Sequence, residues 1–155
     1  MNFKIANIIV GKGRPAFIIA ELGLSHEGSL GLATNLVDRA KQAGVDAVKF
    51  QMHIPKEESS KYEKFRKKFS HQDLTRYDYW DRTSFTLKQW RFLKKYCDRK
   101  KIIFLCSPFS IKAVDYLDKL SVPAWKIASG EFNNLIMLEK ILKISKKPII
   151  LSTGL

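Results

Sequence analysis

The chain has 155 residues, 45% of them hydrophobic, and a formal net charge of +13. That excludes a disordered or fibrous protein and leaves enough chain to bury a core. No apolar run reaches the roughly 18 residues that a membrane-spanning helix needs, and Met1 to Val10 lacks a small-residue cleavage pattern, so a cytoplasmic protein is expected. The basic residues are scattered, apart from Lys61 to Lys68 and Arg99 to Lys101, and no zinc-finger or RNA-binding motif accompanies them. The charge is therefore read as a solvated lysine-rich surface, with neither nucleic acid nor membrane expected as a partner. Cys97 and Cys106 fit no metal or redox spacing and read as buried, reduced thiols.

Met1 to Pro15 reads as a capping strand or hairpin turning at Gly11 and Gly13. Five β-rich runs follow: Phe17–Gly23, Asp46–Gln51, Ile102–Phe109, Ala124–Gly130 and Pro148–Gly154. They are nearly continuous in apolar residues, the pattern of strands buried on both faces of a parallel sheet. Helical patterns lie between them. Ser29 is placed to cap a helix carrying Leu32, Leu36, Ala40 and Ala43 on one face, ending at Gly44. Thr86 caps a second, with Leu87, Trp90, Leu93 and Cys97. Ser110 caps a third, with Ala113, Val114, Leu117 and Leu120. Asn133 or Asn134 caps a fourth, with Leu135, Leu138, Ile141 and Leu142. Strand and helix alternate, which predicts a parallel α/β fold in one domain over residues 1–155. The one long connection, His53 to Phe85, is polar and aromatic. It follows a strand end, the side where parallel α/β folds hold their sites, and reads as a wall or lid.

Polar residues stand inside or just after the apolar runs: Glu21, Lys49, Gln51, Ser107, Lys126, Ser129, Glu131, Ser152 and Thr153. Lysine and glutamate are rarely buried without partners. One arrangement accounts for all of them: they converge at the C-terminal mouth of a barrel and line a pocket for an anion and a polar substrate. Lys49 and Lys126 suit a phosphate and a carboxylate, and Ser107, Ser129 and Ser152 offer hydroxyl donors to the same oxygens. Glu21, Glu131 and Gln51 suit sugar hydroxyls, and either glutamate suits proton transfer. His26 reads as a supporting hydrogen-bonding residue, and no metal-ligand cluster is expected, because His26, His53 and His71 fall on separate loops. The Gly11-Lys12-Gly13 turn matches neither a phosphate-binding loop nor a dinucleotide fingerprint.

Four motifs, AELGLSHEGS (20–29), AGVDAVKFQ (43–51), SPFSIKAVDYLDKLSVPAWKIASGE (107–131) and KPIILSTGL (147–155), resemble the N-acetylneuraminate (sialic acid) synthase family, which includes the legionaminic and pseudaminic acid synthases. The loop KFSHQDLTRYDYWDR is similar as well. The resemblance implies the N-terminal part of a TIM (β/α)8 barrel, of which this chain supplies about five strands. It implies condensation of phosphoenolpyruvate with an N-acetylated aldose, such as N-acetylmannosamine or a diacetamido sugar, with release of phosphate. It implies that Lys49, Ser107, Lys126, Ser129 and Ser152 bind phosphoenolpyruvate, and that Glu21, Gln51 and Glu131 hold the sugar or move protons. A divalent metal, manganese or magnesium, is expected with ligands outside this chain, as are a C-terminal antifreeze-like domain and a homodimer of the longer protein. Two positions depart from the family pattern: Ser25 replaces a usual asparagine, and Lys100-Lys101 stands where glycine is common. Five strands cannot close an eight-stranded barrel, so the chain alone is expected to be inactive. Two other readings stay open: a non-catalytic half-barrel that binds anions or a partner chain, and a related synthase acting on a phosphorylated sugar. The WKIASGE and KFQ motifs favour the sialic-type enzyme over the latter.

Overall fold

A computed structural model describes residues 2–154. The chain opens with an antiparallel hairpin, β1 (Asn2–Ile5) and β2 (Ile8–Gly11). Its turn is at Ala6 and Asn7, not at the glycines: Ala6 takes the left-handed conformation, and Gly11 to Arg14 form a separate turn after the hairpin. A parallel series follows: β3 (Ile19–Gly23), α1 (Leu30–Gln42), β4 (Ala47–Met52), α2 (Pro55–Glu58), α3 (Arg76–Thr83), α4 (Leu87–Arg99), β5 (Ile103–Pro108), α5 (Ile111–Lys119), β6 (Trp125–Ile127), α6 (Leu135–Ile144) and β7 (Ile149–Leu151). Strands β3, β4 and β5 form one parallel ladder and β6 and β7 another, with β5 lying beside β6. The expected partial barrel of five parallel strands plus a capping hairpin is what forms. The fourth run is shorter than expected, because Ser129 to Glu131 leave the strand as a 3-10 turn.

The caps explain where the helices start. Ser29, Ser110 and Asn134 each accept a backbone N–H from the third residue on, and Thr86 forms a reciprocal box with Gln89. An unanticipated box, Thr75 with Asp78, starts α3 inside the long connection. Two predicted helix faces are corrected. In α1 the buried residues are Ala33, Val37 and Ala40, while Leu32 and Ala43 face outward. In α6 they are Met137 and Ile141, with Leu138 half-buried, whereas Leu135 and Leu142 are exposed. With Ile136, Ile149 and Leu151 they leave an apolar outer surface at the β7 side.

The strands sort their side chains by alternation. Outward residues Val48, Phe50, Met52, Phe104, Cys106, Trp125 and Ile127 pack under the helices. Inward residues Ala47, Leu105 and Ala124 form a second cluster with Ile5 of the hairpin, closed by Val10, Phe17 and Ile19. The hairpin thus plugs the N-terminal end of the barrel interior, and the inward positions nearer the strand ends are left for polar groups. Both cysteines are buried free thiols; burial pushes Cys97 up to about 12 and Cys106 upward too. No helix among the described residues is long and apolar enough to cross a membrane.

Three helix-to-strand turns need a left-handed residue, and only one is glycine: Gly44 after α1 (φ +79°), Lys101 after α4 (φ +54°) and Ser121 after α5 (φ +53°). The departure at Lys100-Lys101 therefore carries a cost, since a side chain in this region is disfavoured by roughly 1–2 kcal/mol. Lys101→Gly should raise stability by up to about 1 kcal/mol, offset in part by the glycine's larger unfolded entropy. The denaturation midpoint measures it; a lower midpoint in the variant would show that Lys101 is not strained.

Candidate functional site

The inward polar layer is built on register. Glu21 lies beside Lys49 across β3 and β4, and Gln51 beside Ser107 across β4 and β5. Lys49 is buried, and its Nζ meets Glu21 Oε2 at 2.6 Å; the carboxylate side chain itself is 55% exposed. Lys126, from β6, is buried too. Its Nζ donates to Ser152 Oγ at 2.6 Å and to its neighbour's carbonyl, Ile127 O, at 3.1 Å. Burial pushes the Lys126 ammonium below the usual lysine range, and the positive charge of Lys49 pushes it further, against an opposing pull from Glu21. Lys49, Lys126, Glu21 and Ser152 therefore share one electrostatic neighbourhood.

The neighbourhood is short of negative charge. Removing an ammonium from water costs several kcal/mol even after relaxation. Two are buried here, and the one carboxylate paired with either stands half in solvent. Ser107 adds a fully buried hydroxyl with no hydrogen-bond partner among the described residues. A buried polar atom without a partner is a rare and costly thing. Together these groups, two cations and two hydroxyls, make a buried layer that an anion would complete.

The other predicted residues fall around this centre. Gln51 lines a cavity of about 420 Å³ on the outer side of the strand ends. Ser129 is exposed and sits against the turn at Gly154, where an added Cβ would lie 3.3 Å from the serine Cβ. Thr153 is exposed just past β7. Glu131 does not join Glu21. It accepts a hydrogen bond from Asn134 at 2.9 Å, at the start of α6, and lines an adjoining cavity of about 270 Å³ with His53 and Glu58. Glu21 and Glu131, either of which suits proton transfer, thus have different partners, Lys49 and Asn134. His26 is a core residue: its ring stacks on Phe85 at 4.3 Å, its Nδ1 accepts from Gly28 N, and burial lowers it to about 4, keeping it neutral.

The largest feature that sequence reasoning passed over is His53. It continues the alternation of Lys49 and Gln51 one residue beyond β4, which was the available signal. Its Nδ1 meets Glu58 Oε2 at 2.7 Å, and both side chains are buried. Its ring is stacked between Phe109 at 4.0 Å and Trp80 at 4.8 Å. Trp80 comes from α3, so the long connection supplies one wall of the cavity. That wall is tied to the β3–α1 loop at Gly28 (φ +77°), where a Cβ would lie 2.4 Å from Arg82 O. Only glycine permits that approach. Arg82 fixes the same junction through ion pairs to Asp73 at 2.8 Å and Glu27 at 3.0 Å.

Relatives match over nearly the whole chain. The N,N'-diacetyllegionaminic acid synthase of Campylobacter jejuni is 37% identical over 145 residues, covering 92% of this chain and 43% of its own. The human N-acetylneuraminate-9-phosphate synthase is 34% identical over 154 residues, covering 94% and 41%. The crystal structure of the N-acetylneuraminic acid (sialic acid) synthetase of Leptospira borgpetersenii, in complex with citrate, superposes with a TM-score of 0.81 at 29% identity, covering 99% of this chain and 50% of that one. The chain spans about two fifths of the length of these curated relatives. The model of the NeuB family matches residues 36–155, and the chain belongs to that family.

Proposed function

We propose that this chain supplies the phosphoenolpyruvate side of a nonulosonic acid synthase, which joins phosphoenolpyruvate to an N-acetylated aldose and releases phosphate. The observation that carries the reading is the anion-deficient pair Lys49 and Lys126 beside the unpartnered Ser107 hydroxyl. Phosphoenolpyruvate offers two anionic ends, a phosphate and a carboxylate, for two compact cations. Ser107 and Ser152 donate to the same oxygens, and Ser129 closes over them from the turn. In the condensation, carbon 3 of the enol attacks the aldehyde carbon, and the aldehyde oxygen takes a proton. Water adds at carbon 2 and loses a proton. The bond between carbon 2 and the bridging oxygen breaks, its electrons leave with phosphate, which takes up the second proton as the carbon 2 hydroxyl gives it up, and a 2-keto acid remains. Glu21, held at 2.6 Å from Lys49 and half exposed, is placed to take or give one of these protons. Glu131, at the rim, faces the acceptor side. The resemblance implies a divalent metal as Lewis acid on the aldehyde. Among the described residues no three His, Cys, Asp or Glu side chains gather to hold one; the part proposed for this chain's own residues is to bind and orient the anion and to move protons.

The product of the complete gene, incubated with phosphoenolpyruvate, manganese and N-acetylmannosamine or a diacetamido sugar, should release inorganic phosphate. No release with any of them sinks the proposal. Lys126→Ala should weaken phosphoenolpyruvate binding about 10- to 100-fold, the worth of a charge-assisted hydrogen bond; unchanged affinity removes Lys126 from the site. The pH dependence has a definite sign. Anion binding needs the ammonium form of Lys126, so affinity is full below its lowered pKa and falls as pH rises through it, before an ordinary lysine at 10.5 would titrate. Removing the neighbouring cation in Lys49→Gln should lower the affinity but move that basic limb upward in a calorimetric pH series. A limb that stays in place would mean the two lysines do not interact.

A further inference from the structure

We propose that the basic run Lys61–Lys68 is an electrostatic guide, which draws the anionic co-substrate to the strand ends before it reaches the buried lysines. This rests on the synthase reading for the identity of the anion, phosphoenolpyruvate; the placement of the charge rests on the fold. Five cations, Lys61, Lys64, Arg66, Lys67 and Lys68, stand in this run against one carboxylate, Glu63. All five are exposed, and none forms an ion pair among the described residues.

The run is anchored by its acid and its rings. Arg76 N donates to the Glu63 carbonyl at 2.9 Å, and the Arg76 guanidinium meets the Glu63 carboxylate, also at 2.9 Å. Ser59 donates to the other oxygen of that carboxylate. Phe65 and Phe69 pack on each other at 5.0 Å and on Tyr79 of α3 at 6.5 and 5.0 Å. The carboxylate and the rings are engaged in holding the segment, and the cations are left facing solvent.

The anchoring fixes where that charge lies. Phe69 and Tyr79 line the same cavity as Gln51 and His53. Arg66 lines the adjoining cavity with His53, Glu58 and Glu131. Glu58 is held by His53 at 2.7 Å and Glu131 by Asn134 at 2.9 Å, so neither neutralises Arg66 by contact. Gln51 is one alternation step, about 7 Å, from Lys49 along β4. The run therefore rims the strand ends that carry the cationic layer. A cleft edged by one sign of charge focuses the field and raises association rates of a counter-ion by about 10- to 1,000-fold at low salt. Phosphoenolpyruvate, with about three negative charges at neutral pH, is the co-substrate on which such a field acts. Lys95, Arg99, Lys119 and Lys146 are also exposed and free of ion pairs among the described residues, but they lie in or after the C-terminal parts of α4, α5 and α6, at the opposite end of the strands.

The test is stopped-flow tryptophan fluorescence of the complete gene product mixed with phosphoenolpyruvate, from about 0.01 to 0.5 M salt, over which the screening length falls from about 30 Å to about 4 Å. The wild-type association rate should fall at least about tenfold across that range. Lys64→Gln, Arg66→Gln, Lys67→Gln and Lys68→Gln combined should slow association about tenfold at low salt, and the two proteins should converge at high salt. Lys95→Gln, Arg99→Gln, Lys119→Gln and Lys146→Gln combined remove the same net charge and should change the rate less than about twofold. An association rate indifferent to salt, a rim variant as fast as wild type, or an equal loss in both combined variants overturns the guide and leaves the synthase reading standing. A protein that does not bind phosphoenolpyruvate at any salt, checked by equilibrium dialysis, overturns both.

Discussion

Two lysine ammoniums buried on β4 and β6, with β5 between them, set the terms for this molecule. Each is costly to remove from water, and their mutual repulsion adds to that cost. The structure carries them because the interior around them is finely divided. Below lies an apolar plug of Ala47, Leu105, Ala124 and Ile5, which keeps water out and gives no counter-charge. Beside them stand one half-exposed carboxylate and hydroxyls. An apolar floor and a cationic layer with one open direction make a receptor for a small anion. The same strand alternation that makes the floor makes the layer, so the site follows from the core and is not an addition to it.

The outer rim follows a different logic. There Arg76 and Arg82 are held by carboxylates, and aromatic rings line the cavity. Arg76 lies on Trp80 while Glu63 holds its guanidinium, and Arg82 bridges Asp73 and Glu27. These pairs lock α3 and the long connection against the strand ends, with Gly28 allowing the closest approach. The rim is thereby a rigid wall: its ionic groups act on one another. Depth along one strand separates the two environments, with Lys49 in the buried cationic layer and His53 in the aromatic rim.

Much of this was legible in the sequence, for a physical reason. A strand buried on both faces cannot carry Lys49 or Lys126 without a purpose, so isolated polar letters in apolar runs mark the inward column. Helix caps were equally plain, because Ser29, Thr86 and Ser110 act on backbone three residues away. Where the reading failed, the decisive partner lay far along the chain. The outward turn of Leu135 and Leu142 depends on which faces β5 and α5 leave open to α6. The separation of Glu131 from Glu21 comes from the 3-10 turn after β6, which points the carboxylate to Asn134. The hairpin turn at Ala6 and Asn7 was hidden because the glycines at 11 and 13 gave the stronger local signal.

His53 shows where the boundary falls. Its place in the column could have been read by counting two residues on from Gln51. Its role could not, because Glu58 reaches it by means of a single helical turn opened by Pro55, while Trp80 and Phe109 approach from 27 and 56 residues away. An imidazole enclosed by two rings and anchored by a buried carboxylate has lost the freedom to turn, so its remaining nitrogen points where the fold sends it. The residue lines the cavity shared with Gln51 and Arg76. The anion site is thus a property of strand alternation, readable residue by residue, whereas the rim is a property of the fold that gathers distant aromatic rings and paired charges around one strand end.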